Sequence, residues 1–163
     1  MSAMLQPRGA QRAISLRTRG QRHGAITRLV SPSDIGGLIK PFVFLDLFDM
    51  TASSAPNFGW HPHSGIATLT VLHEGEIEYQ ETTGVKGILA ANGVEWMRAG
   101  GGVWHTGAAL QRAKGFQLWI ALPEELESLP SQSHYLSAGN ISQEGPARVV
   151  LGSHGRALLS RKK

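Results

Sequence analysis

Two histidines stand one residue apart in Trp60-His61-Pro62-His63-Ser64-Gly65, and a third closes the run Gly100-Gly101-Gly102-Val103-Trp104-His105. In an extended strand alternate side chains share a face, so the imidazoles of His61 and His63 project together from Cα atoms about 7 Å apart. Two rings so placed can converge on one metal ion at about 2.0–2.1 Å. If the run ending at His105 lies beside the first, three ring nitrogens meet in one pocket. Three neutral imidazoles hold Fe²⁺, Ni²⁺, Zn²⁺ or Cu²⁺, with water in the open positions.

The elements that must position these rings are short and extended. Phe42 to Phe48 is apolar and aromatic, broken only by Asp46, and predicts a core strand in which Asp46 sits at a bend or is hydrogen-bonded inside. Thr51 to Phe58 is a polar loop that delivers the chain to His61. Thr68 to Leu72, Ile77 to Tyr79, Gly87 to Ala90, Val94 to Met97, Val103 to His105 and Phe116 to Ile120 read as strands by alternation or β-branching. Turns are expected at His73 to Glu76, at Thr82-Thr83-Gly84 and at Asn92-Gly93. Ile14 to Arg19 and Ala25 to Leu29 predict two strands around the turn-prone Gly20 to Gly24. Pro123 to Leu129 allows one helical turn, and Ser131 to Leu136 and Ala147 to Leu151 add two short strands. Many short strands, frequent turns and 20 glycines indicate an all-β barrel or double-sheet jelly roll.

Composition narrows the function classes. A chain of 163 residues fits one domain with a real core. No apolar run reaches the roughly 18 residues of a membrane span, so no membrane role is expected. The absence of cysteine removes disulfides, thiolate metal sites and a cysteine nucleophile, and fits a cytoplasmic protein. The net charge of +4 is uneven, because Arg8, Arg12, Arg17, Arg19, Arg22 and Arg28 all precede the first acidic residue, Asp34. Such a start suits a transit peptide, a nucleic-acid arm, or a solvated tail leading into a polar edge strand. The third reading is preferred. The alternation in Ile14 to Arg19 is strand-like rather than amphipathic-helical, and no aromatic residues interleave the arginines for base stacking. No secretory signal is visible in Met1 to Ala10.

Several of these runs, taken in order, carry a family resemblance. They are His61-Pro62-His63-Ser64-Gly65, Leu72-His73-Glu74-Gly75-Glu76, Gly84-Val85-Lys86-Gly87, and Glu95-Trp96-Met97-Arg98-Ala99-Gly100-Gly101-Gly102 with His105. Together with Phe44-Leu45-Asp46 and Phe116 to Ile120, this order resembles the N-terminal barrel of the pirins, a family of the cupin superfamily. The family pattern runs His-Pro-His-x-Gly, Leu-x-Gly-x, Gly-x-x-Gly, Gln-Trp-Met-x-Ala-Gly-x-Gly and His-x-Glu. The resemblance spans residues 14 to 151.

It implies a cupin-type double-stranded β-helix barrel holding one metal ion, usually iron, on four protein ligands. His61, His63 and His105 match three of them. Gly107 stands where the fourth, a glutamate two residues past the last histidine, belongs, and Ala67 replaces the pattern's other glutamate. The division expected is a basic arm over 1–12, a barrel over 13–137, and a strand with a basic tail over 138–163 without a second barrel. A second barrel is usual in the family, so the face it would cover is expected to drive homodimer formation.

Two functions follow from the resemblance. One is a mononuclear metal-dependent dioxygenase of the quercetinase type acting on an aromatic or flavonoid-like small molecule. The alternative is a non-catalytic regulatory or ligand-binding barrel with a protein partner, metal-free because both glutamates are replaced. Glu74, Glu76 and Glu78 read as solvated and are not expected to substitute for them. His73 reads as exposed, and His23, His134 and His154 belong to no motif. Trp60 and Trp104 flank the ligand candidates and are expected to pack the barrel or its mouth, each pointing away from its neighbouring histidine.

Overall fold

The computed structural model describes residues 13–54, 59–154 and 157–158, so the basic arm over 1–12 lies outside the described residues. Nine strands form one sheet: β1 (Gln21–His23), β2 (Ile26–Val30), β3 (Phe42–Thr51), β4 (His61–His63), β5 (Ile66–Glu81), β6 (Lys86–Ala90), β7 (Val94–Arg98), β8 (Val103–Ala121) and β9 (Gln132–Leu136). The order is β1-β2-β3-β8-β5-β7-β9, with β4 also on β8 and β6 also on β5. Two hairpins follow: β10 (Ser142–Glu144) with β11 (Ala147–Val149), and β12 (Ser153–His154) with β13 (Ala157–Leu158). The only α-helix among the described residues is the short turn α1 (Glu124–Glu127), entered from Pro123 as expected.

Two long strands organise the sheet. β5 and β8 pair antiparallel from Ile66↔Ala121 to Glu81↔His105, and each changes its second partner along its length. β5 pairs β7 through Ala67–Val71 and β6 through Glu76–Gln80. β8 pairs β4 through Val103–His105 and β3 through Arg112–Ile120. A strand that swaps neighbours midway must bend, and the pairing shifts register between Leu72 and Glu74 and again between Gly75 and Ile77.

The bend explains two departures from the sequence reading. His73 to Glu76, expected as a turn, runs through as part of β5. Gly75 has φ +79°, and a Cβ there would overlap the Arg112 carbonyl. A glycine that breaks the alternation has the same sequence appearance in a bulge as in a turn. Likewise Val103 to His105 and Phe116 to Ile120 are the two ends of one strand, β8.

Ile14 to Arg19 forms no strand. These residues run exposed, and the edge strand begins only at Gln21. Alternation makes a strand only where a partner is available, and the outer edge of β2 is taken by Gln21–His23. Asp46 is hydrogen-bonded as expected: Arg28 donates from Nε (3.0 Å) and Nη2 (2.9 Å) to its two oxygens across β2 and β3.

The core lies inside the bend. Phe48, Met50, Leu72, Leu89, Ala109 and Ala113 form one buried cluster, and Met97, Ala99 and Val103 a second. The first cluster draws on β3, β5, β6 and β8, so the two long strands hold both sides of it together.

Gly75→Ala and Gly84→Ala separate backbone strain from packing. Both glycines have positive φ (+79° and +90°), but only Gly75 has backbone where a Cβ would go, whereas Gly84 has nothing within 4 Å. Gly84→Ala is expected to cost about 1–2 kcal/mol from the left-handed conformation alone. Gly75→Ala is expected to cost clearly more, because the β5–β8 ladder must open. Equal losses in urea denaturation would contradict this account of the bend.

Candidate metal centre

β4 places the first two imidazoles. It has β8 on one side and no strand on the other among the described residues, so the missing N–H of Pro62 is tolerated at an edge. His61 lies directly opposite His105 in the register, and His63 opposite Val103. The loop after β4 is tied to the glycine turn before β8, where the Gly65 N–H donates to the Gly100 carbonyl at 2.8 Å. Gly100 takes φ +53° with the Leu129 carbonyl where a Cβ would be, so only glycine passes there.

The three rings expected to meet do so. Ring centroids lie 4.4 Å apart for His61–His105, 4.9 Å for His63–His105 and 5.0 Å for His61–His63. One ligand nitrogen from each lies within 4.8 Å of the others. Atoms bound at 2.0–2.1 Å to one ion are at most about 4.2 Å apart, so small ring rotations close the set. His61 Nδ1 donates to the Gly59 carbonyl at 2.9 Å, which leaves Nε2 as the ring's acceptor. His105 Nε2 is buried with no hydrogen-bond partner. A buried lone pair without a donor is costly, and a cation supplies what it lacks. Burial, and then the charge of His61, lowers the pKa of His63 to about 4. Burial, then His61 and His63, lowers that of His105 to about 3. Both rings are therefore neutral near pH 7, the form that ligates metal. The donor set fits a divalent transition metal.

All three histidines line a cavity of about 340 Å³ inside the barrel, within the range that takes a small organic ligand. Ile26, Phe48, Met50, Ile77 and Leu89 make its apolar wall. Besides the histidines, its polar lining residues include the paired Arg28 and Asp46, Thr70, Glu95, Thr106, Gln117, Trp119 and Tyr135. Glu95 is buried, its Oε2 accepting from Thr70 Oγ1 (2.5 Å) and its Oε1 from the Tyr135 hydroxyl (3.1 Å). Gln117 Nε2 donates to Thr70 Oγ1 at 3.2 Å, and Trp119 Nε1 donates to Gln117 Oε1 at 2.9 Å. The Trp119 ring then meets His63 edge-on at 4.9 Å. Burial raises the pKa of Glu95, the two hydroxyl donors oppose this, and the charge of Glu81 adds to it. Burial, followed by the charges of Glu95 and Glu81, raises the pKa of Tyr135, so its hydroxyl keeps its proton and donates.

A model of the pirin family matches residues 25–120, more than half of the chain. The chain belongs to the pirin family. A pirin-like protein of Caulobacter vibrioides is 36% identical over 107 residues, covering 63% of this chain and 38% of that protein. Pirin-like protein 2 of Arabidopsis thaliana is 35% identical, covering 84% of this chain and 43% of its own. The chain thus spans about half or less of the length of these curated relatives. A crystal structure of quercetin 2,3-dioxygenase from Acinetobacter baumannii superposes with TM-score 0.70 at 25% identity, over 86% of this chain and 56% of that one. A bacterial pirin of Escherichia coli in complex with nickel(II) gives 0.58 at 25% identity, over 70% and 52%. The architecture is the all-β cupin barrel.

Against the pirin pattern, the two replaced glutamates are not equivalent. Gly107 follows His105 on the same face of β8 and lines the cavity. Ala67 is fully buried but lies one position out of phase with Thr68 and Thr70 on β5 and does not line the cavity. Glu74, Glu76 and Glu78 are exposed as expected, Glu74 pairing with Arg112 (3.4 Å) and Lys114 (3.6 Å). His73 is likewise exposed. Trp60 (47%) and Trp104 (50%) are half exposed and do not line the cavity.

The sequence reading gave Glu95 no role beyond an alternating strand. The available signal was its place in Glu95-Trp96-Met97, where the pirin pattern has glutamine. Glu81 was also missed; it is buried, opposite His105, with Oε2 accepting from Ser133 Oγ at 2.7 Å and Oε1 unpaired.

Glu95 also sets an expected pH dependence. With its folded pKa raised above 4.5, the folded chain keeps a proton that the unfolded chain releases. The stabilisation is complete below about pH 4.5 and is lost as pH rises through the raised value. Glu95→Gln removes this loss. In urea titrations from pH 4.5 to 8 the variant should gain on the wild type. A wild type that gains on the variant as pH rises would contradict the direction of the shift.

Proposed function

We propose that this pirin barrel holds one divalent metal ion on His61, His63 and His105, with iron as the resident ion, and acts as a quercetinase-like dioxygenase on an aromatic, flavonoid-like molecule in the cavity. The observation that carries this reading is the convergence of the imidazoles of His61, His63 and His105, with the buried Nε2 of His105 left without a hydrogen-bond partner, in the wall of a ligand-sized cavity. The nickel(II) complex of the Escherichia coli pirin and the dioxygenase name of the Acinetobacter neighbour support it. When bound, the metal supplies a Lewis-acidic, redox-active centre with open positions for substrate and dioxygen.

The chain's own part is to bind and orient. The apolar wall excludes water and takes the rings of the ligand. The Gly59 carbonyl fixes the tautomer of His61, and Trp119 holds the ring plane of His63. A second reading, a non-catalytic ligand-binding or regulatory barrel with a protein partner, is favoured by Gly107, which leaves the family pattern's carboxylate position two residues past His105 without a base. Cytoplasmic location belongs to this proposal. So does a homodimer, for which the exposed Ile88 (56%) and Trp104 (50%) offer apolar surface. Light scattering at tens of micromolar, on the order of common dimer affinities, should give twice the chain mass. A monomer there removes the dimer.

Elemental analysis after anaerobic loading with Fe²⁺ should find one metal per chain, and His105→Ala should abolish it. Gly107→Glu tests the vacancy directly. A Cβ at Gly107 meets its nearest neighbour, Ile77 Cγ2, at an ordinary 3.4 Å, so a carboxylate can be built into the cavity. It should tighten metal binding by about tenfold or more, as a charged oxygen ligand is added. Wild-type protein that takes up no metal removes the proposal. Metal uptake without oxygen consumption on adding quercetin selects the second reading.

A further inference from the structure

We propose that Glu95 selects the ligand of this cavity by accepting a hydrogen bond from an aromatic hydroxyl, so that the barrel prefers hydroxylated aromatic molecules to their ethers. The inference rests on the reading above that an aromatic ligand occupies the cavity.

Every polar link leading to Glu95 points towards it: Trp119 donates to Gln117, Gln117 to Thr70, and Thr70 to Glu95, with Tyr135 donating from the other side. The hydroxyl proton of Thr70 is thus spent on the carboxyl group, and that of Tyr135 is shared between Glu95 and its neighbour Glu81. A carboxylate has about four acceptor sites, and these two donors use half of them. The selection belongs to the ionised carboxylate, because a protonated carboxyl would also offer an O–H donor to the ligand. Glu95 with this remaining capacity lines a cavity whose surface is mostly apolar. A ligand hydroxyl can satisfy it, and an ether oxygen cannot.

The choice of residue points the same way. The two groups that hydrogen-bond Glu95 are hydroxyls, and neither is a cation. Burying a carboxyl on such partners costs more than burying an amide of the same shape. A glutamine would pack as well, but it would turn an N–H towards the cavity and reject the hydroxyl donor. Stability alone therefore does not account for the acid.

The test uses metal-free protein with 3-hydroxyflavone and 3-methoxyflavone as probes, and binding is read by quenching of tryptophan fluorescence. The wild type should bind the hydroxyflavone about tenfold or more tightly than its ether, the scale of one hydrogen bond to a charged acceptor. Glu95→Gln should bring the two within about twofold or invert the order, while it unfolds at no lower temperature than the wild type and its metal uptake stays at wild-type level. A variant that keeps the tenfold preference, or a wild type that shows none, overturns the assignment. Binding of neither probe overturns it together with the aromatic-ligand reading. The two failures are distinguishable: metal uptake with no probe preference removes Glu95 alone, and preference without metal uptake removes the metal centre alone.

Discussion

The pairing of β5 with β8 over nearly their whole lengths is the constraint on which the rest of the molecule depends. Each strand is shared between two sets of neighbours, so neither can move without disturbing both sides of the barrel. His105 sits at one end of this ladder, opposite Glu81, and Thr70 and Gln117 face each other further along it. The candidate metal ligands and the polar wall of the cavity are therefore positions on one ladder, with spacing set by backbone hydrogen bonds. Side-chain contacts adjust the geometry only at the level of ring rotations. Such a frame suits a site that must hold three rings in place before any ion arrives.

The balance of polar groups differs sharply between the inside and the outside of this frame. Outside, charges are paired and wet: Arg112 with Asp49 and Glu74, and Lys114 with Glu74, all more than a third exposed. Exposed pairs of this kind contribute little to stability. Inside, the Arg28–Asp46 pair is satisfied, but other polar groups are under-satisfied or expensive. His105 Nε2 and Glu81 Oε1 have no hydrogen-bond partner, and Glu95 is buried on two hydroxyls. Native interiors tolerate few such groups, and those that persist gather where function holds them.

How far the sequence revealed this depended on whether the signal was local. His61-Pro62-His63 and the glycine run before His105 are local patterns with a geometric meaning, and the register His61↔His105 realises them. The strands with clean alternation, such as Val94 to Met97, also formed where expected. Continuity was not legible, because Gly75 interrupts the alternation of β5 and only the opposing Arg112 carbonyl shows that the break is a bulge. Nor was the absence of a strand at Ile14 to Arg19, since alternation records a face and not the presence of a neighbour. Glu95 was opaque for a related reason. Its partners Thr70, Tyr135 and, through Thr70, Gln117 lie on three other strands, and no window of sequence brings them together.

That opacity bears on how departures from a family pattern are weighed. Counting Ala67 and Gly107 as two lost carboxylates treats the positions as equal, yet only Gly107 faces the cavity. Ala67 is fully buried on β5, alternates with the cavity-lining Thr70 and does not line the cavity, so its position is not equivalent to that of Gly107. The cavity has in fact kept a carboxyl group, on β7 instead of β8 and linked to the histidines through Thr70, Gln117 and Trp119. A carboxylate in the ligand shell lowers the charge of the centre and occupies a coordination position. One held at a distance, among hydroxyls, does neither and leaves those positions open. The candidate donor set is thus three ring nitrogens with an acid set apart from them.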